Sequence, residues 1–211
     1  NQKQLDQVLG KAKEKDLFFM EGMWTRCFPA VRTARKWLEE GKIGAPLTVR
    51  ASFDIKPALE EWQPWKGGRT HAAGALRDVG IYSLAMVFPE GPKDIHSVMK
   101  SNGEVDESFH MLADYGEGKA AFLSGTFNQI SNPVVEITGE EGRILIGPEF
   151  WHPKEVELIT NKGEKELFRD LYSATGFQYE IQEVQECLRE GRKESSCYTL
   201  EETKKIAAII E

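Results

Sequence analysis

Along the first 45 positions apolar residues recur at helical spacing, and beyond residue 46 they tend to alternate. Leu5, Val8, Leu9 and Ala12 share one face of a helix expected over residues 2–15, and Leu17, Phe18, Phe19 and Met20 then form a run that predicts a short buried strand. A helix leading into a strand is one crossover of a parallel sheet; by itself it would have an unpaired edge and an uncovered apolar face. A second helix is expected over residues 30–40, opened by Pro29 and stopped near Gly41 and Gly44. From Pro46 the texture predicts strands over residues 47–55, 95–99, 107–114, 119–127, 134–138, 142–146 and 156–160. Their short connections, clearest at residues 115–118 and 161–163, suit hairpins and hence a mainly antiparallel sheet. Two helices close the chain, over residues 177–190 and 200–210, the second opened by Thr199 with Glu202 three positions on.

The expected fold class is therefore α+β, an open and mainly antiparallel sheet with helices on one face, preceded by a piece of parallel α/β character. Residues 1–45 and 46–211 are the corresponding divisions. Ala121 and Leu123 on one side of their strand and Phe122 on the other predict that the second sheet face is also covered. With 211 residues, 40% of them hydrophobic, the chain is long enough to bury a core. A net charge of −7 argues against nucleic acid or an anionic membrane as the main partner. With no leader and no apolar run of spanning length, cytoplasm is the default reading.

The richest chemistry lies between His71 and Tyr82. Asp78 and Tyr82 are four apart on an expected helix, so a carboxylate and a phenol share one face. Beside the small residues Ala72, Ala73 and Gly74, the pair suits general acid/base work, the glycine admitting a ligand close to the backbone. The alternative is a core helix whose aspartate caps or pairs elsewhere. Cys27, Cys187 and Cys197 are odd in number and lack metal or redox spacing, so they read as reduced thiols, Cys27 either a small buried hydrophobe or a pocket residue. His71, His96, His110 and His152 are dispersed, and no metal site is expected.

Three segments carry a resemblance that covers essentially the whole chain. Residues 74–82, Gly-Ala-Leu-Arg-Asp-Val-Gly-Ile-Tyr, resemble the G-A-L-x-D-x-G-x-Y/H segment of the glucose-fructose oxidoreductase and inositol dehydrogenase (Gfo/Idh/MocA) family of nicotinamide-dependent sugar and polyol dehydrogenases. Residues 23–29, Met-Trp-Thr-Arg-Cys-Phe-Pro, are similar to the M-W-T-R-F-x-P segment of its dihydrodiol and D-xylose dehydrogenase branch. Gly176 to Val184, followed by Cys187-Leu-Arg-Glu-Gly191, resembles that branch's penultimate helix.

The resemblance implies hydride transfer between NAD or NADP and a CH–OH group of a sugar, polyol or dihydrodiol. It implies Tyr82 as the proton-transferring group and Asp78 as the residue that orients substrate hydroxyls or a catalytic lysine. Trp24, Arg26, Trp151 and Phe177 would line the substrate and cofactor pocket, the alternative for each aromatic being an ordinary core position; independently of the resemblance, the Pro- and Gly-bearing stretch before His71 makes Trp62 and Trp65 candidates for a loop over the pocket. The resemblance also implies a homodimer through the sheet face; Arg50, on the first strand, reads either as an interface residue or as a solvated arginine. The sequence contains neither the family's G-x-G-x-x-G turn nor its Glu-Lys-Pro, and it enters the pattern about where that lysine has passed. The expectation is a substrate-binding part whose cofactor half is missing, inactive alone; the alternative is a non-catalytic binding or dimerisation module.

Overall fold

The structure, a computed structural model, describes residues 1–56 and 74–211. Helix α1 (Gln2–Glu14) opens with a capping box between Asn1 and Gln4. The expected strand at residues 17–20 does not form. A strand exists only when another pairs with it, and here the backbone N–H of Phe19 donates to the Lys193 carbonyl of a loop, while Leu17 is exposed. A tight 3₁₀ turn at Trp24–Cys27 leads into α2 (Pro29–Glu39), whose proline occupies the first turn, where no N–H is needed. Ala30, Val31, Ala34 and Trp37 make its buried stripe.

Strand β1 (Pro46–Asp54) is followed by helix α3, a π-turn at Leu76–Gly80 that continues as α-helix at Ile81–Leu84. Strands β2 (Asp94–Ser101), β3 (Asp106–Gly116), β4 (Lys119–Thr126), β5 (Val135–Gly139), β6 (Gly142–Ile146), β7 (Glu155–Thr160) and β8 (Lys165–Arg169) complete one sheet. Its order is β2-β3-β4-β1-β5-β6-β7-β8. The expected antiparallel character holds, with β1 and β4 pairing in parallel at the centre. Strand β8 had no expectation attached to it. Helices α4 (Phe177–Arg189) and α5 (Leu200–Ile210) close the chain, α5 with the foreseen capping box between Thr199 and Glu202.

Helix α2 lies over β6, β7 and β8, and α3 over β1, β3 and β4. The sheet face beneath them supplies Val49, Ala51, Phe53, Phe109, Met111, Ala121 and Leu123 to the core. Helix α3 comes unusually close because Gly80 and Gly125 leave room for the ring of Phe109; a Cβ on either would come within 2.6 Å of it. Among the described residues no element covers the opposite face, where Phe122 is 44% exposed and Val98 73%. Arg50 lies on that face with its guanidinium 5.3 Å from the centre of the Phe122 ring and 3.7 Å from Glu136. Among the described residues no helix is long and apolar enough to cross a membrane.

Candidate functional site

Tyr82, Trp151, Trp24 and Phe177 come from four separate segments, and the fold joins them through a series of ring contacts. Trp24 stacks on Phe177, with ring centres 4.4 Å apart. It also lies 6.0 Å from His152, whose ring meets Trp151 edge-on at 5.2 Å. Trp151 is stacked on Phe53 at 3.9 Å, and Phe53 reaches Tyr82 at 5.6 Å. Each junction has a local cause. The hydroxyl of Thr25 donates to the Trp151 carbonyl at 2.7 Å, tying the 3₁₀ turn to the segment after β6. Gly176, at φ +100°, caps α4 where a Cβ would fall 2.1 Å from the Phe28 ring, and this close approach carries Phe177 onto Trp24. Phe53 and His152, two links of the series, were not anticipated. Phe53 reads as an ordinary inward position of β1, and only the adjacency of Trp151 and His152 hinted at a ring cluster.

Among the described residues three phenols stand near this surface, and two of them already have hydrogen-bond acceptors. Tyr172 donates to the His152 carbonyl at 2.6 Å, so the ring nitrogen Nδ1 of His152, 3.2 Å away, is the donor in their second contact. Tyr179 donates to Asp170; burial and that hydrogen bond push its phenol up to about 12. The Tyr82 hydroxyl makes no hydrogen bond among the described residues. Asp78 is half-buried on the π-turn preceding Tyr82, a type of distortion frequent at functional sites.

Gly74 does not open the backbone to a ligand as expected. At φ +127° its missing Cβ leaves space for the Asp106 carboxylate, which accepts from the Leu76 N–H at 2.6 Å and so caps α3. Ala72 and Ala73, His71, Trp62 and Trp65 lie outside the described residues.

Arg26 is not brought to the ring series. Its guanidinium is 6% exposed, pairs with Glu202 of α5 at 2.6 Å and donates to the Ala85 carbonyl at the end of α3. A basic group there also complements the carbonyl end of a helix. Cys27 is a buried free thiol, 2% exposed.

Fold and site together define an open, mainly antiparallel α+β sheet domain with a series of ring contacts beside one helix. Residues 31–145 match the GFO/IDH/MocA C-terminal domain, and the chain belongs to that family. It is 32% identical over 225 residues to the trans-1,2-dihydrobenzene-1,2-diol dehydrogenase of Homo sapiens, covering all of this chain and 65% of that protein. For the Oryctolagus cuniculus enzyme of the same name the values are 31% over 229 residues, 100% and 67%. The chain thus spans about two thirds of the length of these curated relatives. Among solved structures, levoglucosan dehydrogenase with NADH and levoglucosan superposes with a TM-score of 0.84 at 19% identity, over 99% of this chain and 66% of that one. A 3-ketoreductase from Actinomadura kijaniata, in complex with TDP-benzene and NADP, gives 0.76 at 22%, over 100% and 65%. At such identities the likeness is one of fold.

Proposed function

We propose that this chain is the substrate-binding part of an NAD(P)-dependent oxidoreductase that moves a hydride to or from a CH–OH carbon of a sugar, polyol or dihydrodiol. The observation that carries the reading is the ring series from Phe177 to Tyr82, which ends in a phenol hydroxyl without an internal partner among the described residues. The stacked, half-exposed Trp24 and Phe177 suit a planar nicotinamide, whereas the sequence holds no G-x-G-x-x-G turn for a pyrophosphate. The residues here therefore fit the nicotinamide end of the cofactor, with residues 1–45 on the cofactor side and 46–211 binding substrate. When bound, the nicotinamide supplies the hydride acceptor or donor.

The protein groups manage the proton and the orientation. As hydride leaves carbon the alcohol must lose its proton, and Tyr82 takes it. A phenol of pKa about 10 does this near neutral pH only with a cation beside it, which is a condition of the proposal. Asp78 orients the substrate hydroxyls, and Trp151 forms the apolar wall behind them. In the catalytically active protein, Tyr82→Phe lowers turnover at least tenfold, about 1.4 kcal/mol of barrier, with cofactor affinity little changed. Unchanged turnover would remove Tyr82 from the mechanism.

The open sheet face supports a homodimer. Val98, Leu112 and Phe122 form an apolar surface there, beside Arg50 and Glu136. Sedimentation at twice the 23.9 kDa chain mass is expected, with Phe122→Glu shifting the species toward the single mass. A monomer at micromolar concentration would count against this face as an interface.

A further inference from the structure

A cavity of about 290 Å³ lies between α2, α5, the segment that follows α3 and the sheet, and no member of the ring series lines it. Its walls are mainly apolar. Val31 of α2, Met86 and Phe88 after α3, and Val49 and Ile146 of the sheet all reach it and are all buried. The volume is at the lower end of small-molecule pockets, which begin at about 300 Å³.

Three basic and three acidic side chains also line the cavity, and they are not evenly matched. Lys119 pairs with Glu90 and lies 4.0 Å over the centre of the Phe88 ring. Glu39 is exposed, so water screens its charge. That leaves Arg26 and Arg35 with one carboxylate, Glu202, which sits 2.6 Å from Arg26. Arg35 is half-buried. Its Nη1 donates to the Cys197 carbonyl at 2.7 Å and to the Ser196 carbonyl at 3.4 Å, and among the described residues it has no ion pair. Burial, with the Arg26 charge beside it, holds Arg35 below the usual guanidinium range, as befits a cation short of a counter-ion. The Nε of Arg26 is itself buried without an acceptor, so donors outnumber acceptors on this side of the cavity.

We propose that this cavity is a binding site for a small amphipathic monocarboxylate, whose carboxylate pairs with Arg35 and whose hydrocarbon body fills the apolar interior between α2 and the sheet. A guanidinium presents its N–H groups as a planar fork that matches the two oxygens of a carboxylate. Among the described residues the Nε and Nη2 of Arg35 are uncommitted. One negative charge balances the one excess guanidinium, whereas a phosphate dianion would overshoot it and a neutral hydrocarbon would leave it unpaired. The site is separate from the proposed hydride chemistry, because Arg26 and Glu202 stand on the side of the 3₁₀ turn away from Trp24.

Octanoate is the probe, followed by isothermal titration calorimetry and by thermal unfolding of the protein. The expected result is one saturable site per chain and a Tm that rises with octanoate concentration. Octylammonium and 1-octanol, which carry the same chain without the negative charge, should bind at least tenfold more weakly. Arg35→Gln should weaken octanoate at least tenfold and leave 1-octanol unchanged. Leu38→Trp keeps every charge but enlarges a half-buried side chain that lines the cavity, and it should abolish binding of both. No saturable octanoate binding at millimolar concentration, equal binding of the three probes, or octanoate affinity unchanged in either variant would each overturn the proposal.

Discussion

Trp24 and Arg26 stand two residues apart in one 3₁₀ turn, and their surroundings differ in kind. Trp24 is half-exposed and held by rings alone, Phe28 on its edge and Phe177 on its face. Arg26 is almost wholly buried and held by a carboxylate and a carbonyl. Ring contacts tolerate sliding and re-stacking because each is weak and broadly directional. A buried ion pair allows no such freedom, since a displaced charge is left without solvent or partner. The turn thus has a rigid side that fixes it to α3 and α5, and an adaptable side that meets the ring series. A shared motif of adjacent residues does not imply a shared site.

The largest effect that would break this comparison is expected at Arg26. Arg26→Ala leaves the Glu202 carboxylate, itself only 12% exposed, without its charge partner, and should lower stability by about 3 kcal/mol in denaturant unfolding. A loss below about 1 kcal/mol, the size of an exposed pair, would mean that the arginine is not the anchor of the turn.

The acid side of the stability curve sharpens the same point. Burial alone would raise both carboxyls, but the Arg26 charge overcomes it at Glu202, and at Glu183 the hydrogen bonds from Ser195 and the Cys187 thiol, with Arg32, hold the group down at about 2. Each binds its proton more weakly folded than unfolded. Their contribution is therefore complete above the ordinary carboxyl value of 4.5 and drains away as pH falls toward about 2. Unfolding free energy measured from pH 6 to pH 2 should fall across that window, and Glu183→Gln should reduce the slope. An unchanged slope in the variant would place the acid sensitivity elsewhere.

How far these features are legible in the sequence varies with the physics behind them. Alternation marks the strands whose one face is buried, such as β3, where Phe109, Met111, Ala113 and Tyr115 point inward in turn. It fails for β8, an edge strand in which Lys165, Glu166 and Arg169 leave only Leu167 and Phe168 as apolar signal. The run at residues 17–20 has strand composition, yet pairing depends on a neighbour that composition cannot report. Tyr82, Trp24 and Phe177 stood out by motif and Trp151 only by its place in the resembled chain, whereas the rings that connect them did not, because no spacing rule relates Phe53 on β1 to Trp151 about a hundred residues later. Arg26 shows the reverse case: its motif neighbours meet the ring surface, while its own charge is satisfied on the other side of the turn.

The smallest effect tests the adaptable side directly. In a double-mutant cycle of Trp24→Ala and Phe177→Ala, the coupling free energy should be about 1 kcal/mol, the size of an aromatic pair beyond its area burial. Because Phe177 is 49% exposed, little of its own loss comes from core packing, so the coupling isolates the stacked contact. A Phe177→Leu partner preserves bulk without the ring face and should recover less than half of it. Coupling near zero would mean that the two rings are neighbours without being a surface, and the ring series would then be interrupted at the end where the nicotinamide is proposed to lie.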